Sequence, residues 1–330
     1  MTQRTSCLFG SRGNEKRAFI EITELCNMRC KHCMNDSGER KFDGLNKNKI
    51  KRLFNELVDR NYRRLYISGG EPLFYDGIDE ILNYAKLLGI KITLATNGWE
   101  VKNHIKAIKE NVDIVSISLD GIGNIHDHFR GVQGSYDRAI EALMLLSSRD
   151  VYTKISCTVW KGNVAQLETI TAIANKVGVK KINFCALVPV GRAKDNNNIL
   201  VNNEEYGNIY DRIDKLKKEY KDKMIVEIKR DKGVSKKCAG CPAADTILHI
   251  NAKGKIAPCS WVSKIECDGF SEYWEEGKLG ECIDKINNFK KILNLRVNTY
   301  EYTGCPALAY IHNGHYLAED PINSMIKGEK

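Results

Sequence analysis

The chain has 330 residues, 42% hydrophobic and 28% charged, which suits one large domain or two moderate ones and excludes an integral membrane protein, since no apolar run approaches the length of a membrane span. Residues 1–7 are polar and lack the apolar segment of a signal peptide, so the expected compartment is cytoplasmic, with no membrane partner. The net charge of +9 comes from lysines spread along the chain without a compact basic stretch interleaved with aromatics, so no nucleic acid is expected as a partner.

Strand-like and helix-like segments alternate from the start. Strands are predicted over 17–23, 64–68, 91–96, 113–119, 152–159 and 181–188. Helices are predicted over 46–60, 76–88, 101–110, 135–149, 164–177 and 204–221. Six βα units in strict alternation imply an α/β fold with a parallel sheet and outer helices, a partial (β/α)6 barrel of TIM type. In such a barrel the active site forms on the loops after the strands. The polar motifs of this chain fall there: 26–33 after the first strand, 69–72 after the second, 97–98 after the third and 120–121 after the fourth. Near residue 230 the composition changes to short Cys-rich pieces, with a hairpin over 246–257 and a helix over 281–295. The expected division is a barrel domain over 1–230 and a small domain over 231–330, organised more by metal than by a hydrophobic core.

The twelve cysteines carry the most information. In a long chain without a signal peptide they point to metal or redox chemistry rather than to disulfides. Cys26, Cys30 and Cys33 follow the pattern C-x3-C-x2-C. Three ligands on one loop suit a [4Fe–4S] cube with one iron left open. The alternative is zinc, with His32 as a fourth ligand.

This pattern resembles the signature of the radical S-adenosylmethionine (SAM) superfamily. Gly69-Gly70-Glu71-Pro72 is similar to that family's second element, where glycines let the backbone approach the methionine end of the cofactor. Asn97, Asp120 and the run 126–131 resemble its cofactor-shaping elements. The resemblance implies that Ser118 and Arg130 hold the methionine carboxylate, as a guanidinium is suited to do, and that Leu187 and Val188 pack near the adenine. His32 stands where the family usually has an aromatic. The implied chemistry is reductive cleavage of SAM to a 5′-deoxyadenosyl radical, which takes a hydrogen atom from a substrate C–H bond. An electron donor such as flavodoxin or ferredoxin is implied as a partner.

The C-terminal third resembles the SPASM/twitch extension of the same superfamily, through Cys238-x2-Cys241, the C-x12-G-x4-C hairpin ending at Cys259, and the late Cys305. The resemblance implies one auxiliary [4Fe–4S] cluster on Cys238, Cys241, Cys259 and Cys305, able to accept an electron from a substrate radical. Arg296 and Thr299 stand where the full pattern has cysteines for a further cluster. A structural zinc site is the alternative, and Cys267 could replace one of the four ligands. Cys282, Trp160, Trp261, His126, His128 and His249 read as core or loop residues. Cys157 and Cys185, on the fifth and sixth strands, read as core residues or as hydrogen-atom donors to a substrate radical.

Peptide maturation is the leading function, by cross-link, epimerisation or oxidation of a ribosomally made precursor. Dehydrogenation or epimerisation of a sugar or aminocyclitol is the second, and a non-catalytic zinc-binding interaction protein a distant third. With 25 residues before Cys26, a peptide substrate would be recognised by a separate leader-peptide-binding protein or by the barrel itself.

Overall fold

Apolar residues recur at every second position of the central strands, and that period decides which face is buried. In the computed structural model, which describes residues 15–39, 41–228, 241–265, 269–299, 305–318 and 320, strand β3 (Lys91–Thr96) buries Ile92, Leu94 and Thr96. Strand β5 (Thr153–Val159) buries Thr153, Ile155, Cys157 and Val159. The alternate residues Thr93, Ala95, Lys154, Ser156 and Thr158 stay half-buried on the other face.

The remaining parallel strands are β1 (Lys16–Glu21), β2 (Tyr62–Ser68), β4 (Ile114–Ser118), β6 (Lys181–Ala186) and β7 (Ile225–Ile228). Helices α1 (Lys47–Asp59), α2 (Ile78–Leu87), α3 (Ile105–Asn111), α4 (Asn124–Arg130), α5 (Ser135–Ser147), α6 (Leu167–Lys176) and α7 (Asn203–Glu219) lie between them. Strands β1 to β7 pair in chain order, each parallel to the next. Ile50, Leu53, Phe54 and Leu57 of α1 meet Ala18, Ile20 and Ile67 in the layer between sheet and helices. Helix starts are set locally: Asn46 accepts from the Lys49 N–H at 3.0 Å, and Asn202 and Glu205 form a reciprocal capping box at α7.

The expected α/β barrel is present, with local differences. Residues 124–130, read as a polar motif, wind into α4. The short run of β7 adds a seventh parallel strand that its four residues did not announce. The helix expected over 281–295 is two helices, α8 (Leu279–Ile286) and α9 (Phe289–Thr299), broken at two consecutive asparagines, residues that favour caps and turns.

The C-terminal hairpin extends the barrel's own sheet. Strand β8 (Ile247–Ile250) pairs in parallel with β1, Arg17 opposite Ile247 and Ile20 opposite Ile250. Strands β9 (Lys255–Ala257) and β10 (Glu272–Tyr273) follow antiparallel, giving ten strands in one sheet. Helix α10 (Pro306–Asn313) places proline in its first turn, where a missing N–H costs nothing. This part of the chain has a hydrophobic core of its own, a correction to the expectation that metal would take that role. Phe289 is fully buried, with the edges of Phe270 and Tyr316 against it at 5.3 and 5.6 Å. The same core reaches the concave face of the barrel, where Phe19 and Tyr66 pack beside Ile247, Cys259 and Val262. No helix among the described residues is long and apolar enough to cross a membrane.

Candidate active site

The loop after β1 carries Cys26, Cys30 and Cys33, and its path is fixed by backbone hydrogen bonds from several elements. Cys26 N–H donates to the Gly38 carbonyl at 3.2 Å, Lys31 N–H to Phe129 at 2.9 Å, and Arg192 N–H to Cys33 at 3.1 Å. Arg192 adds a side-chain clamp: Nε donates to the Cys30 carbonyl at 2.7 Å, and Nη1 to Asp36 at 2.6 Å and to the Ser37 carbonyl at 2.9 Å. Sequence reasoning took Arg192 only as part of a linker.

Each sulfur has a donor aimed at it. Met28 N–H reaches Cys26 Sγ at 3.4 Å, Ser37 N–H reaches Cys33 Sγ at 3.4 Å, and Arg130 Nη1 reaches Cys30 Sγ at 3.8 Å. Such donors stabilise thiolate and bound cluster alike. Burial pushes the Cys26 thiol up to about 12, opposed by the Met28 N–H and reinforced by Glu71, Cys30 and Cys33. Burial also raises Cys30, against Arg130. Ligation would therefore have to displace protons from buried thiols.

Two observations test which group these residues fit. Among the described residues, no three His, Cys, Asp or Glu side chains meet closely enough to hold a single metal ion, yet the three thiols feel one another electrostatically. That spacing suits a polynuclear cluster. His32, the candidate fourth zinc ligand, is committed elsewhere. Its ring stacks on Phe129 at 4.2 Å, Phe129 stacks on Trp160 at 4.3 Å, and His32 Nε2 lies 3.8 Å from Asp120 Oδ2. Burial, with Arg130 and Arg192 alongside, holds His32 well below the ordinary histidine range, so the ring is neutral. Its Nδ1 is buried without a hydrogen-bond partner.

The Gly69–Pro72 run is pressed against the cysteine loop. Gly70 N–H donates to the Thr23 carbonyl and Glu71 N–H to the Leu25 carbonyl, both at 2.7 Å. A Cβ on Gly70 would lie 2.0 Å from the Leu25 oxygen, so only glycine fits. Gly191 is the counterpart on the opposite side, with φ +60° and a would-be Cβ 2.3 Å from the Cys33 oxygen. Glu71 is fully buried and ties the end of β2 to the end of β3. It accepts from Thr96 Oγ1 at 2.6 Å, Asn97 N–H at 2.7 Å and Leu73 N–H at 3.2 Å. Burial raises its carboxyl to about 7 against those hydrogen bonds. Asn97 in turn donates to Asn27 at 2.8 Å, and Pro72 opens a short 3-10 turn.

Arg130 is 8% exposed at the end of α4 and forms an ion pair with the wholly buried Asp120. Asp120 also accepts from the Thr158 N–H at 2.6 Å. Burial raises the Asp120 carboxyl, and Arg130 opposes that rise. Arg130 Nε has no hydrogen-bond partner among the described residues, so one donor is left over for an incoming carboxylate. Ser118 ends β4 on the concave face. Leu187 is buried with Phe129, Trp160, Ala193 and Ile199 in a small apolar cluster, and Val188 beside it is half-buried. An apolar cluster with stacked rings next to Arg130 and Ser118 matches the shape and chemistry of an adenosyl amino acid. The Phe129–Trp160 stack escaped sequence reasoning, since the two rings lie 31 positions apart.

The second group of cysteines is gathered differently. Cys241, Cys259 and Cys305 share the small aromatic core. Burial raises the Cys259 thiol, and the nearby Cys305 and Cys241 raise it further. Val262 N–H donates to Cys259 Sγ at 3.5 Å, and Cys305 N–H donates to the buried Asp320 at 2.7 Å. Cys238 and Cys267 lie outside the described residues. Cys282 sits apart on α8, its thiol toward the Tyr273 carbonyl at 3.6 Å.

Between the two groups lies the concave wall of β4, β5 and β6. Strand register puts Ser118, Ser156 and Asn183 in one row, with Thr158 and Cys185 in the next. Cys185 is half-buried on this face. Cys157 is buried in the helix layer, turned away from it. At the far side, His249 Nε2 and Lys264 Nζ each lie 3.1 Å from Glu21 Oε1. His249 is thus in a buried ion-pair cluster, where sequence reasoning placed it in a loop.

Residues 20–173 match the profile of the Radical SAM superfamily. The AdoMet-dependent heme synthase of Methanosarcina barkeri is 27% identical over 94% of this chain and 96% of its own length. The antilisterial bacteriocin subtilosin biosynthesis protein AlbA of Bacillus subtilis is 25% identical over 75% of this chain and 55% of its own length. The fold is that of SuiB from Streptococcus suis, with a TM-score of 0.72 over 92% of this chain and 75% of SuiB at 16% identity, in a structure with S-adenosylmethionine bound. A further SuiB structure holds the precursor peptide SuiA.

Proposed function

Starting from a chain of the radical SAM superfamily, we propose that it modifies a peptide, by abstracting a hydrogen atom from a residue held in the concave chamber of the barrel. The bound cluster and S-adenosylmethionine supply the radical chemistry. The chain's residues do the rest. Cys26, Cys30 and Cys33 hold the cluster, Arg130 Nε and Ser118 take the methionine carboxylate, and Phe129, His32 and Leu187 flank the adenine. Cys241, Cys259 and Cys305, with Cys238, hold a second cluster.

The observation that carries the peptide reading is the polarity of the chamber wall. Ser116 Oγ and Asn183 Oδ1 are both buried without a hydrogen-bond partner, on strands that flank Lys154 and Ser156. A buried unpaired polar atom costs about 1–3 kcal/mol. A ligand that pairs with it recovers that cost. A side-chain amide offers both a donor and an acceptor, which is the complement of a peptide group. The likeness to AlbA and to the fold of SuiB supports the same reading.

A second reading is a tetrapyrrole substrate. It is favoured by the co-linear match to the M. barkeri heme synthase, and by Arg17, Arg64, Lys154 and Lys181 near the starts of the strands, where carboxylates could be met.

Mass spectrometry separates the two. The reconstituted protein is incubated anaerobically with S-adenosylmethionine, dithionite and either the short peptides encoded beside its gene or an iron porphyrin with propionate side chains. A mass change on a peptide, or epimerisation detected as deuterium uptake, with 5′-deoxyadenosine formed alongside, is the expected result. A changed porphyrin with untouched peptides overturns it.

A further inference from the structure

A pocket of about 450 Å³ opens on the outer side of the cysteine loop, away from the chamber. Its walls include Asn27, Met28 and Arg29, the three residues between Cys26 and Cys30, together with Glu39, Lys41 and Val132. Only one layer of backbone separates this pocket from a sulfur, because the Met28 N–H donates directly to Cys26 Sγ at 3.4 Å. Electron tunnelling falls exponentially with distance, so a one-electron donor seated here has a short route to a cluster on these cysteines.

The mouth is basic. Arg29 is exposed and makes no hydrogen bond or ion pair among the described residues. Lys41 is exposed, and Lys31 nearby contacts His128. Of the acids at hand, Glu39 lines the pocket, and Asp36 is neutralised by Lys41 at 3.0 Å and Arg192 at 2.6 Å. Phe42, next to Lys41, is 45% exposed. A concave, basic mouth beside an exposed aromatic fits a protruding, acid-rimmed flavin edge.

We infer that this pocket is the docking site for an acidic, low-potential flavoprotein that reduces the cluster. One electron leaves the flavin hydroquinone, which becomes the semiquinone, and enters the cluster; no bond is made or broken. The inference rests on Cys26, Cys30 and Cys33 being cluster ligands.

The test compares two reductants on the reconstituted full chain, with 5′-deoxyadenosine as readout. One is flavodoxin kept reduced by its NADPH-dependent reductase, and the other is dithionite. The variants are Arg29→Glu with Lys41→Glu, which reverses the rim, and Val132→Trp, which fills the mouth. The expected result is a rise of about tenfold or more in the KM for flavodoxin in both variants. The salt dependence of the flavodoxin reaction should flatten in the charge-reversed variant. Dithionite-driven rates and iron content should stay within twofold of the parent. Equal losses with both reductants would show that these residues shape the loop, not a docking site. An unchanged flavodoxin KM in both variants would place the donor elsewhere. Iron content that is absent in the parent chain would instead sink the cluster reading.

Discussion

Around Cys26, Cys30 and Cys33 the fold works through backbone hydrogen bonds and charge, whereas around Cys241, Cys259 and Cys305 it works through apolar packing. The first loop receives bonds from the ends of β2 and α4 and from the segment after β6, and it has Arg130 and Arg192 within reach. The second set is collected by Phe289, Phe270 and Tyr316. The difference suits two tasks. A site that must present one open iron to a small cofactor needs exact backbone placement, which hydrogen bonds give through their directionality. A site that only has to enclose a cluster needs exclusion of water, which a hydrophobic core gives.

The sharpest break of this comparison is to remove each ligand set in turn. Replacing Cys26, Cys30 and Cys33 together by Ala should lower iron from about eight to about four per chain and abolish formation of 5′-deoxyadenosine. Replacing Cys241 and Cys305 by Ala should remove the other four while leaving reductive cleavage measurable. If both sets give the same loss, the two regions are not independent. Next in size is Gly70→Ala, which forces a Cβ onto the Leu25 carbonyl. It should cost about 4 kcal/mol or more, or stop the first loop from closing, and be seen as loss of iron from the first site only.

Phe289→Ala addresses the second region. Emptying a fully buried phenylalanine should cost about 3–5 kcal/mol, read as early melting and early proteolysis of the C-terminal third while the barrel stays intact. The smallest effect concerns pH. Burial raises Glu71 from its ordinary value of 4.5 to about 7 in the folded chain. The folded state therefore binds more protons than the unfolded one between these values, and stability falls as pH rises through that window. The slope is at most about 1.4 kcal/mol per pH unit. Glu71→Gln should flatten it in urea titrations from pH 4.5 to 7.5, and an unaltered slope would assign the titration to another group.

The barrel was legible because each strand announces itself within a few residues, and the cysteine positions announce their chemistry. What escaped depends on partners far away along the chain. Arg192 meets the Cys30 carbonyl across 162 positions, and the sequence 188–193 looks like a linker until the loop is packed against it. The His32–Phe129–Trp160 stack joins a loop, a helix and a strand end. The four residues of β7 carry too little pattern to stand out, and the pairing of β8 with β1 is invisible to any local reading. The aromatic core of the C-terminal part is assembled from Phe270, Phe289 and Tyr316, each of which sits alone in its own stretch of sequence.

The pairing of β8 with β1 also has a bearing on biogenesis. Residues 17 and 247 face each other across the sheet, so one edge of the first strand stays open until more than two hundred further residues have been synthesised. Long sequence separation of this kind slows folding, and an unpaired strand edge invites association with other chains in the meantime. Because the first cysteines follow directly on that strand, metal offered to the nascent chain meets a loop whose supporting strand still lacks one neighbour. Cluster insertion is therefore best timed after release from the ribosome, and slow translation of the last third should raise the fraction of protein that aggregates without iron.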